Sequence, residues 1–163
     1  MSYDPYALAF PAPAFPVTSR EFDAGGPLPI WSYQPANESP ELSWGVLPSE
    51  ARSLVVTAFD ADAPIPGGLW HWAVKDIPAT ASGLAHNVTG IGMPLANDLG
   101  QRAYTGVNPP PGTGTHRLVI CVTALGVDIL DLPEDASLAM LNIAMIPHTV
   151  GRGILVGTSK PAA

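Results

Sequence analysis

Leu54-Val55-Val56-Thr57-Ala58-Phe59-Asp60-Ala61-Asp62-Ala63-Pro64, followed shortly by Leu69-Trp70-His71-Trp72-Ala73-Val74, decides the fold. The apolar run 54–59 reads as a buried strand. It ends in two carboxylates one residue apart, then a Pro64-Ile65-Pro66-Gly67-Gly68 turn. The chain returns through Trp72-Ala73-Val74 as a second strand, with His71 at its start. Such a hairpin puts Asp60 and His71 at one mouth of a sheet. Sites are usually built on loops at the ends of a rigid scaffold.

A second mouth comes from His116 to Leu125, the longest strand candidate. Its nearly unbroken apolar character predicts burial on both faces. Asp60 and Asp62 follow one strand, and His71 and His116 each begin another. If the mouths face the same way, these four groups line one pocket. Pro64, Trp70, Tyr104 and the prolines 109–111 would wall it. Each residue also has a structural role open to it. Asp60 or Asp62 can accept backbone N–H groups in a turn. His71, between two tryptophans, can be a hydrogen-bonded core residue, and His116 beside Arg117 is evenly balanced between the two roles. Arg102 can pair with a carboxylate as readily as with a ligand. His86 and His148 read as structural or solvated.

The remaining chain reads as short strands joined by turns. Residues 1–16, with four prolines, form an extended N-terminal arm carrying Tyr3, Tyr6, Phe10 and Phe15 for docking. Phe15–Ser19, Ile30–Tyr33 and Leu42–Trp44 read as short strands, and segments 76–83 and 90–94 as loops. Asp131–Ser137 reads as a helix start with acidic residues in the first turn. Leu138, Leu141, Ile143, Met145 and Ile146 supply the stripe that follows. Pro147 should stop this helix, because it lacks an N–H. His148–Gly151 then reads as a second helical turn and Ile154–Gly157 as a final strand.

A chain of 163 residues fits one domain with a full core. Apolar residues make up 47% and charged residues 13%, which excludes a disordered chain. The formal net charge of −7, with two lysines, excludes a general nucleic-acid surface. An anionic ligand must therefore be held by a few positioned donors. Cys121, the single cysteine, lies in an apolar run and reads as a buried, inert thiol. No segment reads as a signal peptide, and no run approaches the ~18 apolar residues of a membrane span, so a cytoplasmic protein is expected. No G-x-S-x-G, P-loop, dinucleotide fingerprint or paired-cysteine zinc spacing is present.

Taken together, Asp60-Ala61-Asp62-Ala63-Pro64, Trp70-His71-Trp72, Tyr104-Thr105-Gly106 with Pro109-Pro110, and Gly112-Thr113-Gly114-Thr115-His116-Arg117 resemble the phosphatidylethanolamine-binding protein family. The bacterial branch, similar to Raf kinase inhibitor proteins, matches most closely in length and loops. The resemblance runs from about Pro16 to Gly157. It implies a mainly β, sandwich-like fold with a large central antiparallel sheet and a C-terminal helix. It also implies an anion pocket for a lipid headgroup or phosphorylated group, formed by Asp60, Asp62, Pro64, His71, Gly106, Pro110 and His116. No catalysis, metal or cofactor is implied. A kinase or protease partner and a homodimer are. The chain departs from the family pattern at Ala61 (proline in the family), Leu118 (often tyrosine) and Ser159 (often tyrosine). The expected mechanism shares a proton between Asp60 and the ligand, with His71 or His116 cationic. The alternatives are an interaction module without a working pocket, and a hydrolase with a His/His/Asp metal triad.

Overall fold

A computed structural model describes residues 2–163. Met1, the first residue of the expected arm, lies outside them. The hairpin forms as expected: β3 spans Ser53–Asp60 and β4 spans Leu69–Pro78. They join an antiparallel five-stranded sheet of order β6-β4-β3-β7-β8, with β6 at Met93–Pro94, β7 at His116–Leu125 and β8 at Thr149–Ser159. A three-stranded sheet, β1 (Val17–Thr18), β2 (Leu42–Trp44) and β5 (Gly83–Leu84), packs over one face.

Side chains alternate across a strand, so β3 supplies two cores. Leu54, Val56 and Ala58 face the small sheet, together with Leu118, Ile120 and Val122 of β7. Val55 faces the other way, against Leu130 and the helix α1 (Leu138–Met145). Burial on both faces is why β3 and β7 lack a polar stripe. The architecture is a β-sandwich whose larger sheet carries one short helix on its outer face.

Four local expectations are corrected. Ile30–Ser32 is a 3-10 turn, closed by Ser32 N–H to Pro29 O (3.0 Å) and Tyr33 N–H to Ile30 O (3.1 Å). Its apparent alternation is not a strand signal: Ile30 is exposed, Ser32 is buried, and Tyr33 is drawn into a bridge with Val107. The helix starts at Leu138 rather than among the acidic residues, because the Ser137 side chain caps it by accepting Met140 N–H (3.2 Å). Pro147 sits in a 3-10 turn, Ile146–His148, and the β-branched pair Thr149-Val150 then opens β8 instead of a second helical turn. Segments 76–83 and 90–94, read as loops, contribute the ends of β4 and the two-residue strands β5 and β6.

The arm turns at residues 4–9, with Ala9 N–H on Tyr6 O (3.0 Å), and then runs back to bridge Ala14 with Arg152 on β8. Phe15 enters the core, whereas the side chains of Tyr3 and Phe10 remain exposed. Two arginines strap the arm down. Arg117 donates to Tyr3 O (2.7 Å) and Arg152 to Phe10 O (3.2 Å), with the Arg152 guanidinium over the Tyr6 ring. Cys121 lies beneath it, 1% exposed, and burial pushes its thiol up.

Candidate functional site

The two mouths do face the same way. Antiparallel pairing sets the end of β3 beside the start of β7, with Asp60 opposite Leu118. Asp60 Oδ2 and His116 Nδ1 lie 2.8 Å apart, both side chains almost wholly buried. Asp60 Oδ1 accepts the Asp62 backbone N–H (2.9 Å), a turn that fixes the carboxylate's direction.

His71 arrives by a different device. Ala58 pairs with Trp72 and Phe59 with Trp70, so His71 is the extra residue of a β-bulge. Trp70 packs on Phe59, towards the helix, while Trp72 packs on Tyr104 in the core beneath the small sheet. In a regular strand the two tryptophans would share a face. The bulge switches faces between them and aims His71 with Trp72, to the side that carries Asp60 and His116.

The proton positions follow from the partners. The Thr113 hydroxyl donates to Pro110 O (2.7 Å), so its oxygen accepts from His116 Nε2–H (2.8 Å). His116 Nε2 therefore points its N–H at Thr113, and Nδ1 faces the Asp60 carboxyl in a hydrogen bond internal to the protein. His71 Nδ1 donates to Thr105 O (2.8 Å), which leaves Nε2 as the free end. That atom is buried and has no hydrogen-bond partner, and the Ser159 hydroxyl is in the same condition. Ser159 pairs directly with His116 across β7 and β8, so both side chains stand on one face. Burial holds the His71 imidazolium below its usual range, outweighing the opposing help of Thr105 O and the Asp60 carboxylate.

The other expected residues take supporting places. Asp62 turns away and clasps Arg117 through both oxygens (2.7 and 2.8 Å); these bonds hold its carboxyl below the usual range. Pro64 sits on the exposed turn. Gly106 lies against the backbone of Tyr33, where an added Cβ would come within 2.3 Å of the carbonyl carbon; its N–H donates to Asn37 Oδ1 (2.8 Å). Pro110 contributes the carbonyl that orients Thr113. Sequence reasoning missed Thr113, Thr105 and Asn97 as site residues. Asn97 Nδ2 donates to His71 O (3.0 Å) and Thr105 Oγ1 (2.8 Å), tying the bulge to its neighbour. A lone asparagine in a tight turn carried no signal of that role. His86 is clasped between Glu21 and Glu38, chiefly the latter, which raises its pKa.

The donors suit a metal poorly: both His116 nitrogens are engaged, and among the described residues no group of three metal-ligating side chains converges. Two cavities, of about 590 and 270 Å³, lie elsewhere; neither is lined by Asp60, His71 or His116.

The two-sheet sandwich defines a class, and the family comparison agrees with it. Residues 18–160 match the model of the phosphatidylethanolamine-binding protein family, and the chain belongs to that family. Among its relatives, UPF0098 protein YbhB of Escherichia coli is 36% identical over 126 residues, covering 72% of this chain and 78% of that one. The putative lipoprotein LppC of Mycobacterium tuberculosis is 35% identical, covering 91% and 75%. The crystal structure of E. coli YbcL, described as a new member of the mammalian PEBP family, superposes with a TM-score of 0.85 at 26% identity, covering 91% and 99%. Family membership makes this a binding protein in general terms, and none of these three relatives bears an enzyme name.

Proposed function

We propose that the mouth of the large sheet binds a phosphate-bearing ligand, a lipid headgroup or a phosphorylated group, and that the chain acts as a non-catalytic regulator. The observation that carries this is two buried polar atoms without partners at the mouth, His71 Nε2 and Ser159 Oγ; Ser32 Oγ is the third such atom among the described residues. Leaving such an atom unpaired costs about 1–3 kcal/mol, so an unpaired set beside an Asp–His pair is better explained by a ligand than by folding. In this reading a phosphate oxygen takes a proton-bearing His71 Nε2 and the Ser159 hydroxyl. A second oxygen replaces Thr113 as acceptor of His116 Nε2–H. Asp60 fixes the His116 ring and takes part in its charge without touching the ligand.

Entry requires the 109–115 loop to part, because Asp60, His71 and His116 are only 5%, 2% and 1% exposed. Charge-assisted hydrogen bonds contribute roughly 1.5–3 kcal/mol each. Against at least ~4 kcal/mol of association cost, a headgroup alone binds weakly, and a lipid body or protein partner supplies the rest. A kinase or protease as that partner and a homodimer belong to the same proposal, on family likeness; a cytoplasmic location is part of it too, although the relative LppC is named a putative lipoprotein. No helix among the described residues is long and apolar enough to cross a membrane.

The test is an NMR titration of the histidine side chains with phosphoethanolamine at several pH values. His71 and His116 should shift together while His86 and His148 stay still, and binding should strengthen as pH falls from about 8 towards 6. Silence at His71, or affinity that is flat with pH, rejects the proposal in favour of a pocketless interaction module.

A further inference from the structure

On the opposite face of the large sheet, we infer a second binding site, for an amphiphilic carboxylate, in the cavity of about 590 Å³ between the arm, Phe59, Trp70 and the helix. Its volume falls in the range of small-molecule sites. Its walls are mainly apolar and aromatic, with Phe59 and Trp70 on one side and Met145 and Ile146 on the other. Among the described residues Arg152 is the one charged group that lines it, and no acidic side chain does.

Arg152 is what selects the ligand class. Among the described residues it forms no ion pair, although the chain carries 14 acidic side chains against 7 basic ones. Its guanidinium makes one hydrogen bond, Nη1 to Phe10 O at 3.2 Å, and otherwise rests over the Tyr6 ring. By contrast Arg52 and Arg117 each hold a carboxylate through two nitrogens. A guanidinium with spare N–H groups at the wall of an apolar cavity matches a ligand with one carboxylate and an apolar body. The body would lie along Phe59 and Trp70.

The probe is 11-bromoundecanoate, used below its micelle concentration, whose bromine quenches nearby indoles. Wild-type protein should show saturable quenching that is lost in Trp70→Phe. Arg152→Gln should weaken binding at least tenfold. Because Arg152 also straps the arm, Ala139→Phe provides an independent check: Ala139 is exposed on the helix and lines the cavity, so filling it should abolish quenching while leaving thermal unfolding unchanged. Phosphoethanolamine should not displace the probe, which separates this site from the one at the sheet mouth. Absence of saturable quenching overturns the inference. So does equal quenching in wild type and Arg152→Gln, which would mark an apolar cleft without carboxylate recognition.

Discussion

Strand β4 carries a buried ionisable group near each end, and the two ends are finished differently. At its far end Lys75 Nζ lies 2.5 Å from Asp76 Oδ2 and 3.1 Å from Leu130 O, while Asp76 Oδ1 accepts Leu130 N–H (2.8 Å). That cluster is closed: the side chains are 3% and 9% exposed, and every polar side-chain atom has a partner. At the near end His71 is just as buried, yet one nitrogen has nothing to bind. A buried charge with all its partners supports the fold, here by pinning the loop before the helix. A buried polar atom held open costs stability, a cost that the proposed ligand would offset.

The comparison breaks most easily at the closed end. Lys75→Met strands the Asp76 carboxylate and should cost about 3–5 kcal/mol in denaturant unfolding. The double variant Lys75→Met, Asp76→Asn should recover much of that loss, since asparagine tolerates the positive φ of 58° at this position. Equal cost in single and double variants would mean the pair is not the clamp described. Next in size, Asp62→Asn should cost about 1–2 kcal/mol, because the Arg117 pair is bidentate but partly exposed. This loss should shrink as pH falls into the range where Asp62 itself protonates.

The third prediction concerns pH. His71 has a folded pKa below its unfolded value, so the unfolded chain takes up the proton first. Stability should be fully present above about pH 6.5 and decline as pH falls below it, at no more than ~1.4 kcal/mol per unit from this residue. Thermal unfolding of wild type and His71→Gln across that window checks the sign: the variant should show the shallower decline. The smallest effect sharpens the comparison most. Ser159→Ala removes a hydroxyl that has no partner, so it should leave stability unchanged or raise it by up to ~1 kcal/mol while weakening phosphoethanolamine binding. A clear destabilisation would show that the hydroxyl is already satisfied.

Much of this was legible in the residues. The unbroken apolar runs of β3 and β7 announced strands covered on both sides, and the carboxylates and histidines at their ends announced a shared mouth. Asp60 and His116 meet there, 56 positions apart in sequence. What stayed hidden depended on tertiary pairing. The bulge at His71 arises from register, which no local pattern encodes. Asp62 looked like a pocket carboxylate but found Arg117, because Ala61 N–H bonds to Arg117 O and brings the two side chains together. The Ile30–Ser32 turn mimicked a strand because alternation over four residues is too short to separate the two. Thr113 and Asn97 are small polar residues in loops, and only the folded chain gives them their partners.

The bulge also changes how length matters in this hairpin. The exposed turn between Asp60 and Leu69 can gain or lose a residue and still hand the chain back to the same ladder. Between Trp70 and Trp72 it cannot. The one residue there is His71 itself: remove it and the tryptophans remain, the strand remains, and the imidazole is gone; add one and the imidazole is turned from the mouth. Related chains should therefore be matched at this point by counting back from the tryptophan that faces the core rather than forward from the aspartate. A variant that keeps every named side chain but inserts one residue between the two tryptophans should lose the site.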